Sequence, residues 1–471
     1  VDQHLVDGDV EEIFGLAARR LLGLPPTRRL PDVQAAYREA KQIIPGGTQL
    51  LSKRPEMFAP DQWPAYYREA RGCEVIDIEG RRFIDMSLGG ILACILGFSD
   101  PDVNAAVIRR VNLGSMATLQ TYDEVELAKL LLEIHPWAEN ARFTRAGGES
   151  MAVAVRIARA RTGRDKVALC GYHGWHDWYL AANLCAPAVS ENADRLAGHL
   201  LPGLEPQGVP SGLAGTVLTF RYNRLDELDA ILARCGRELA AVVMEPTRYA
   251  DPEPGFLEGV RERCDRVGAS LIFDEISIGW RLCLGGAHRM FGVDPDLAVF
   301  AKALGNGFPI GAIIGTHNTM QAAQRSFISS TFWTEGVGPA AALACVRKLM
   351  SRDAPGHIAR IGTLVLEGWQ ELGRKHGLPV RTPSRPELAL LQFDHPDAAA
   401  LTTLMTVRML ERGFLAGGAF NATLAHEPRH VAAYLAALDE VLAELAEAIC
   451  RNDIARRIGG PVKHAGFARL T

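Results

Sequence analysis

Ser270-Leu271-Ile272-Phe273-Asp274-Glu275 and, further on, Leu297-Ala298-Val299-Phe300-Ala301-Lys302 decide how this chain is read. Each is a short, largely apolar run, in part β-branched or aromatic, that delivers a charged residue at its end. Three upstream runs have the same build: Ala141-Arg142-Phe143-Thr144, Lys166-Val167-Ala168-Leu169 and Ala240-Ala241-Val242-Val243-Met244. Helical or loop material separates them. Short apolar strands alternating with helices predict an α/β fold whose mainly parallel sheet is covered on both faces. Ligands of such sheets bind beyond the carboxyl ends of the strands. Those ends lead into Arg145-Ala146-Gly147-Gly148-Glu149, Gly171-Tyr172-His173-Gly174, Glu245-Pro246, Asp274-Glu275-Ile276 and Ala301-Lys302. One site is expected there.

Working outward, residues 1–30 read as a helical arm stopped at Leu24-Pro25-Pro26, and Pro31 to Ile43 as a second helix closed by Pro45-Gly46-Gly47. Val75-Ile76-Asp77-Ile78 and Phe83-Ile84-Asp85-Met86 flank Glu79-Gly80 as a hairpin. Beyond about Ala340, a strand signal over Leu388 to Phe393 sits among long Ala/Leu/Glu-rich helices, the last near Tyr434 to Cys450. The expected division is an N-terminal arm and small-domain segment (1–100), a large sheet domain (101–340) and a smaller α+β domain (341–471).

The 471 residues are 48% hydrophobic and 23% charged, with a formal net charge of -4. That balance offers no basic field for nucleic acid or a membrane surface, so a small-molecule substrate is expected. No apolar run approaches the roughly 18–20 residues that span a bilayer. The acidic start, Val1 to Glu12, has no signal-peptide pattern, which together with the absence of a spanning run suggests a cytoplasmic protein. The nine cysteines are scattered without a CxxC pair, which argues against a disulfide framework and the common zinc spacings. His173, His176 and Asp177 crowd one loop, but no further ligand stands at a sensible spacing, so no metal is expected.

Lys302 carries the chemistry. A lysine at a buried strand end loses hydration, which lowers its pKa and yields the neutral amine that a Schiff base requires. Taken singly, it could equally be a solvated loop lysine. Asp274, at a spacing of 28 residues before it, needs a cationic partner if ionised. A protonated pyridine nitrogen is one, worth about 4 kcal/mol at contact and an effective dielectric near 20, before desolvation. A helix cap or structural ion pair is the plainer alternative. Gly147-Gly148 opens a helix through Met151, Val155 and Ala158, where backbone amides could approach a phosphate. Trp175, Trp178 and Tyr179 suit stacking on sugar rings or plain packing, and the sequence leaves both open.

Taken in order, these motifs resemble the class III, fold-type I aminotransferases that depend on pyridoxal 5′-phosphate (PLP), in their glutamate-1-semialdehyde aminomutase-like branch. Pro45-Gly46-Gly47-Thr48, Asp77-Ile78-Glu79-Gly80, Tyr172-His173-Gly174, Phe273-Asp274-Glu275 and Ala301-Lys302 match its landmarks, over about Tyr37 to Leu445. The resemblance implies that Lys302 forms the internal aldimine and that Asp274 binds the pyridinium. By it Tyr172 and Ile276 sandwich the ring, and Gly147 and Gly148 bind phosphate. His173 and Glu245 are expected among the cofactor-binding residues, and Thr331 is expected to reach the phosphate of the neighbouring subunit in a homodimer with shared sites. One departure stands out. The family's phosphate turn usually reads Ser-Gly-Thr-Glu, and here Ala146-Gly147-Gly148-Glu149 lacks both hydroxyls. Phosphate binding must then lean on backbone amides, Thr331 and Ser329 or Ser330.

The stretch from Gly171 to Leu180 and the residues around Thr331 resemble a subgroup of amino-sugar and aminoglycoside-antibiotic biosynthesis. The leading expectation is a transaminase moving an amino group to or from a small sugar-like carbonyl or amine. An aminomutase, epimerase or dehydratase would share the cofactor, and a PLP-fold protein that only binds is the alternative of another class. Arg221, Arg248 and Arg281 are candidates for a donor carboxylate, with nothing to choose among them.

Overall fold

The computed structural model describes residues 32–185 and 206–464; the helical arm expected over 1–30 lies outside them. The helix Val33–Ile43 begins where the Asp32 carboxylate accepts hydrogen bonds from the Gln34 and Ala35 amides. Next come β1 (Tyr67–Arg71), β2 (Glu74–Asp77) and β3 (Arg82–Met86), paired antiparallel. The β2–β3 turn forms because Asp77 Oδ1 accepts from the amides of Glu79 and Arg81, both at 2.9 Å, and Gly80 takes φ +87°. A strand from far along the chain, Phe414–Ala416, joins β3 in parallel. The two ends of the chain therefore share one sheet.

The central sheet holds seven strands: β4 (Asn140–Thr144), β5 (Lys166–Cys170), β6 (Val217–Thr219), β7 (Leu239–Met244), β8 (Ser270–Asp274), β9 (Leu297–Phe300) and β10 (Gly311–Gly315). Their order is β4-β10-β9-β8-β7-β5-β6. β10 is antiparallel to both neighbours, and the remaining pairings are parallel. β6 and β10 were not read from the sequence. β6 has three residues, and β10 is bounded by glycines, which weaken a strand signal. Gly311 is needed because a Cβ there would collide with the side chains of Ser150 and Thr144.

Alternate residues of each strand feed opposite faces, as a pleat requires. Val167, Leu169, Val243, Ile272 and Val299 pack with Met151, Val155 and Ala158 of the helix Gly147–Thr162. Ala168, Cys170, Val242, Met244 and Phe273 pack with Leu257 and Val260 of the helix Phe256–Val267. Each large side chain fully buried in this way contributes about 1.5–3 kcal/mol. A third cluster ties Phe300 and Trp280 to the helices Val337–Ser351, Ala354–Lys375 and Pro428–Arg451. The strand expected over Leu388 to Phe393 is two short pieces: Ala389–Leu390 pairs with Ala419–Phe420, and Gln392–Phe393 with Val380–Arg381. Among the described residues no helix is long and apolar enough to cross a membrane.

Candidate active site

Asp274 is the last residue of β8, and Lys302 lies two residues past the end of its parallel neighbour β9. Lys302 has φ +44°, a left-handed conformation that costs a side-chain-bearing residue about 1–3 kcal/mol and persists only where the surroundings impose it. Here the buried turn Ala303-Leu304-Gly305 imposes it, with the Leu304 amide donating to Ala301 O at 3.0 Å. Lys302 Nζ donates to Ser277 Oγ at 2.8 Å. Burial, and then the nearby Arg248 guanidinium, lower its pKa from 10.5 to about 8, against the opposing pull of Glu245 and Asp274.

Asp274 is buried and already has a partner. His173 Nδ1 stands 2.8 Å from Asp274 Oδ2, and Oδ1 accepts from the Ile276 amide at 3.0 Å. His173 Nε2 lies 2.9 Å from Cys170 O. A carbonyl only accepts, so Nε2 must carry a hydrogen. The sequence reading sought Asp274's cation outside the protein and missed this contact, because His173 is 101 positions away.

The helix Gly147–Thr162 points its first turn at the same place, and Ala146, its cap residue, has no polar side chain. The orphan amides of such a turn favour an anion. A Cβ on Gly147 would lie 3.0 Å from Ile276 Cδ1, so glycine here keeps the cradle open. Gly147, Gly148, Tyr172, His173, Asp274, Ile276 and Lys302 all line one cavity of about 340 Å³. Its glycine-bounded anion site, acid and depressed lysine fit the phosphate, ring nitrogen and carbonyl of PLP. Tyr172 and Ile276 are the side chains available to hold the ring.

Two expected residues stand apart from this lining. Glu245 is buried beside Arg248, whose Nη1 is 3.2 Å from Oε2; burial raises its pKa while Arg248 lowers it. Thr331 is exposed, on the turn Thr331–Thr334. Of the aromatic trio, Trp178 and Tyr179 are core side chains, whereas Trp175 is 69% exposed at the cavity rim. None of the three candidate arginines lines the cavity. Arg281 is buried, donating to Leu92 O and Ala422 O, and burial drops its pKa to about 10. Arg221 pairs with Glu227, and Arg248 with Glu245. The arginine that does reach the cavity is Arg145, held by Glu335 at 2.7 Å. Ser277 and Arg145 carry no pattern by which the sequence alone would single them out.

Residues 57–449 match the family described as aminotransferase class-III. A 3-aminobutyryl-CoA aminotransferase of Cloacimonas acidaminovorans is 32% identical, over 80% of this chain and 87% of that protein. A glutamate-1-semialdehyde 2,1-aminomutase of Lysinibacillus sphaericus is 31% identical, over 89% of this chain and the whole of that protein. A transaminase solved with PLP bound superposes with a TM-score of 0.76 at 25% identity, covering 88% of this chain and 97% of its own.

Proposed function

The chain belongs to the class-III aminotransferases, PLP-dependent enzymes of fold type I, and on that premise we propose that it moves an amino group to or from a small, polyhydroxylated carbonyl or amine compound. The observation that carries the reading is the meeting of a lysine with pKa lowered to about 8 and the Asp274–His173 pair in one cavity. PLP, when bound, supplies the electron sink that lets a bond at the amine-bearing carbon ionise.

The chain's own residues do the rest. Lys302 Nζ would hold the cofactor through its carbonyl and, as a free amine, would move the proton to and from the amine-bearing carbon of the substrate. Asp274 would face the ring nitrogen, with His173 holding its carboxylate in place. Tyr172 and Ile276 would hold the ring between them, and the amides of Gly147 and Gly148 would hold the phosphate.

A sugar-like substrate is supported by an adjoining cavity of about 520 Å³, which shares Ala93, Gly307 and Phe308 with the first. Its wall mixes Asp85, Ser87, Asn306 and Lys53 with Trp63 and Tyr66, as hydroxyl-rich ligands require. A homodimer is supported by exposed Leu113, Leu119, Tyr122, Phe327 and Phe332, apolar surface that water penalises. A cytoplasmic site suits the eight free cysteines among the described residues.

The second reading is an aminomutase, favoured by the Lysinibacillus relative that aligns over its whole length. Single-turnover spectroscopy with amino sugars, glutamate, alanine and a vicinal diamine separates the two. A transaminase is bleached by its donor and recovers only on adding a carbonyl acceptor. Recovery without an added acceptor sinks the transaminase reading.

A further inference from the structure

Three residues that line the cofactor cavity, Asp274, Ile276 and Ser277, come from the end of β8 and the short turn beyond it. The turn is tight because the Ile276 amide donates to Asp274 Oδ1 at 3.0 Å and the Gly279 amide to Glu275 O at 2.8 Å. Glycine is needed at 279, since a Cβ there would stand 2.6 Å from Glu275 O and 3.1 Å from Phe300 Cδ1. Phe300 is the last residue of β9 and precedes Lys302 by two positions. The turn is thereby seated on the strand that delivers the lysine, and the buried Ser277 meets Lys302 Nζ at 2.8 Å. Lys302 is held at both ends: at its backbone by the turn Ala303-Leu304-Gly305, and at its amine by Ser277 Oγ.

That partner is a neutral one. Among the described residues the amine makes no ion pair, and Ser277 Oγ is its hydrogen-bond acceptor. A carboxylate at this distance would favour the ammonium and keep the proton on it. A hydroxyl accepts from the ammonium and from the neutral amine alike, so it can follow the nitrogen through both protonation states. With Oγ accepting one N–H, the lone pair of the neutral amine stays free for a proton. We propose that Ser277 is a positioning residue, which holds the free amine of Lys302 while that amine moves the proton at the amine-bearing carbon of the substrate. The inference rests on the reading of Lys302 as the amine that carries the cofactor. The bond favours the ammonium, because a charged donor makes the stronger hydrogen bond. Ser277 thus works against burial, which together with Arg248 and Arg281 pulls the lysine's pKa down while Glu245 and Asp274 pull it up.

The test sets side by side two rates that depend on the amine in opposite ways. Capture of PLP by apoenzyme needs the unprotonated amine, whereas removal of a proton from the substrate carbon needs the ammonium to form. Ser277→Ala should lower the lysine's pKa by about one unit, which raises capture at pH 7 up to about fivefold. Proton removal is followed in single turnover with the amine that bleaches the wild-type enzyme, among glutamate, alanine, amino sugars and a vicinal diamine, deuterated at the amine-bearing carbon. It should slow about ten- to hundred-fold, with donor affinity unchanged. Ser277→Thr keeps the hydroxyl and should bring both rates back towards wild type. If the two rates fail to move in opposite directions in Ser277→Ala, whether both hold or both fall, the proposal is overturned. Lys302→Ala isolates the underlying reading. Should it capture PLP as wild type does, that reading falls and this inference with it; should it be inert while Ser277→Ala matches wild type, the inference falls alone.

Discussion

His173 Nδ1 and Asp274 Oδ2 meet at 2.8 Å across the ends of β5 and β8, and the other nitrogen of the same ring donates to Cys170 O at 2.9 Å. The imidazole thus braces a buried carboxylate against the strand that leads into the Tyr172-His173 loop. Removing it leaves Asp274 with a buried, unmatched oxygen. His173→Ala should lower stability by about 1.5–3 kcal/mol, the value of a hydrogen bond to a charged group. Turnover should fall with PLP still bound. Urea denaturation together with kcat checks both. Unchanged stability would mean that water replaces the ring without loss.

The lysine gives a pH prediction whose sign is fixed by the direction of its shift. Its pKa lies near 8, below the usual 10.5, so the neutral amine makes up about a tenth of the population at pH 7 and dominates above pH 8. Capture of PLP by apoenzyme should therefore accelerate through pH 7 to 8 and level off above about 9. Stopped-flow absorbance measures it. A rate still climbing steeply at pH 10 would show an unperturbed lysine. Lys302→Ala should abolish capture with the circular dichroism of the fold intact.

What was legible before the structure follows a physical division. The apolar runs ending at Leu169, Met244, Phe273 and Phe300 are strands buried on both faces, where local patterning suffices, and the run ending at Thr144 is an edge strand, half-buried over Asn140 to Arg142. The Glu79-Gly80 hairpin was legible because its turn chemistry is local. β10 was missed because its bounding glycines weaken a strand signal, and the strand Phe414–Ala416 because its partner β3 is distant in sequence. The site divides in the same way. Lys302 and Asp274 announce themselves at strand ends. The contacts of His173 and Ser277 are made by tertiary approach, and no spacing encodes them.

One glycine tests the packing of the C-terminal part of the chain. Gly362 lies in the helix Ala354–Lys375, and a Cβ there would collide with the carbonyl of Pro386, a backbone group with little room to move. Gly362→Ala raises helix propensity by about 1 kcal/mol, yet the collision should outweigh it. Overpacking of this kind costs about 1–3 kcal/mol, so the net effect should be destabilising. A chemical melt of the apoprotein decides; a stabilised variant would show that the Pro386 turn yields freely.

Thr331 is not among the residues that line the cavity. It stands exposed, next to the 69% exposed Phe332, on a turn held to the cavity side by Arg145, which donates to Trp333 O at 3.0 Å and Glu335 O at 2.7 Å. The expectation that this hydroxyl serves the phosphate of a neighbouring subunit gives a prediction. Thr331→Val should then weaken PLP retention about ten- to hundred-fold, and in a characteristic way. Wild-type affinity for PLP should fall on dilution, as dimers separate, whereas the valine variant should start weak and change little. PLP dissociation measured over a range of protein concentrations reads both effects. If wild type and variant weaken in parallel on dilution, Thr331 makes no contact across the interface.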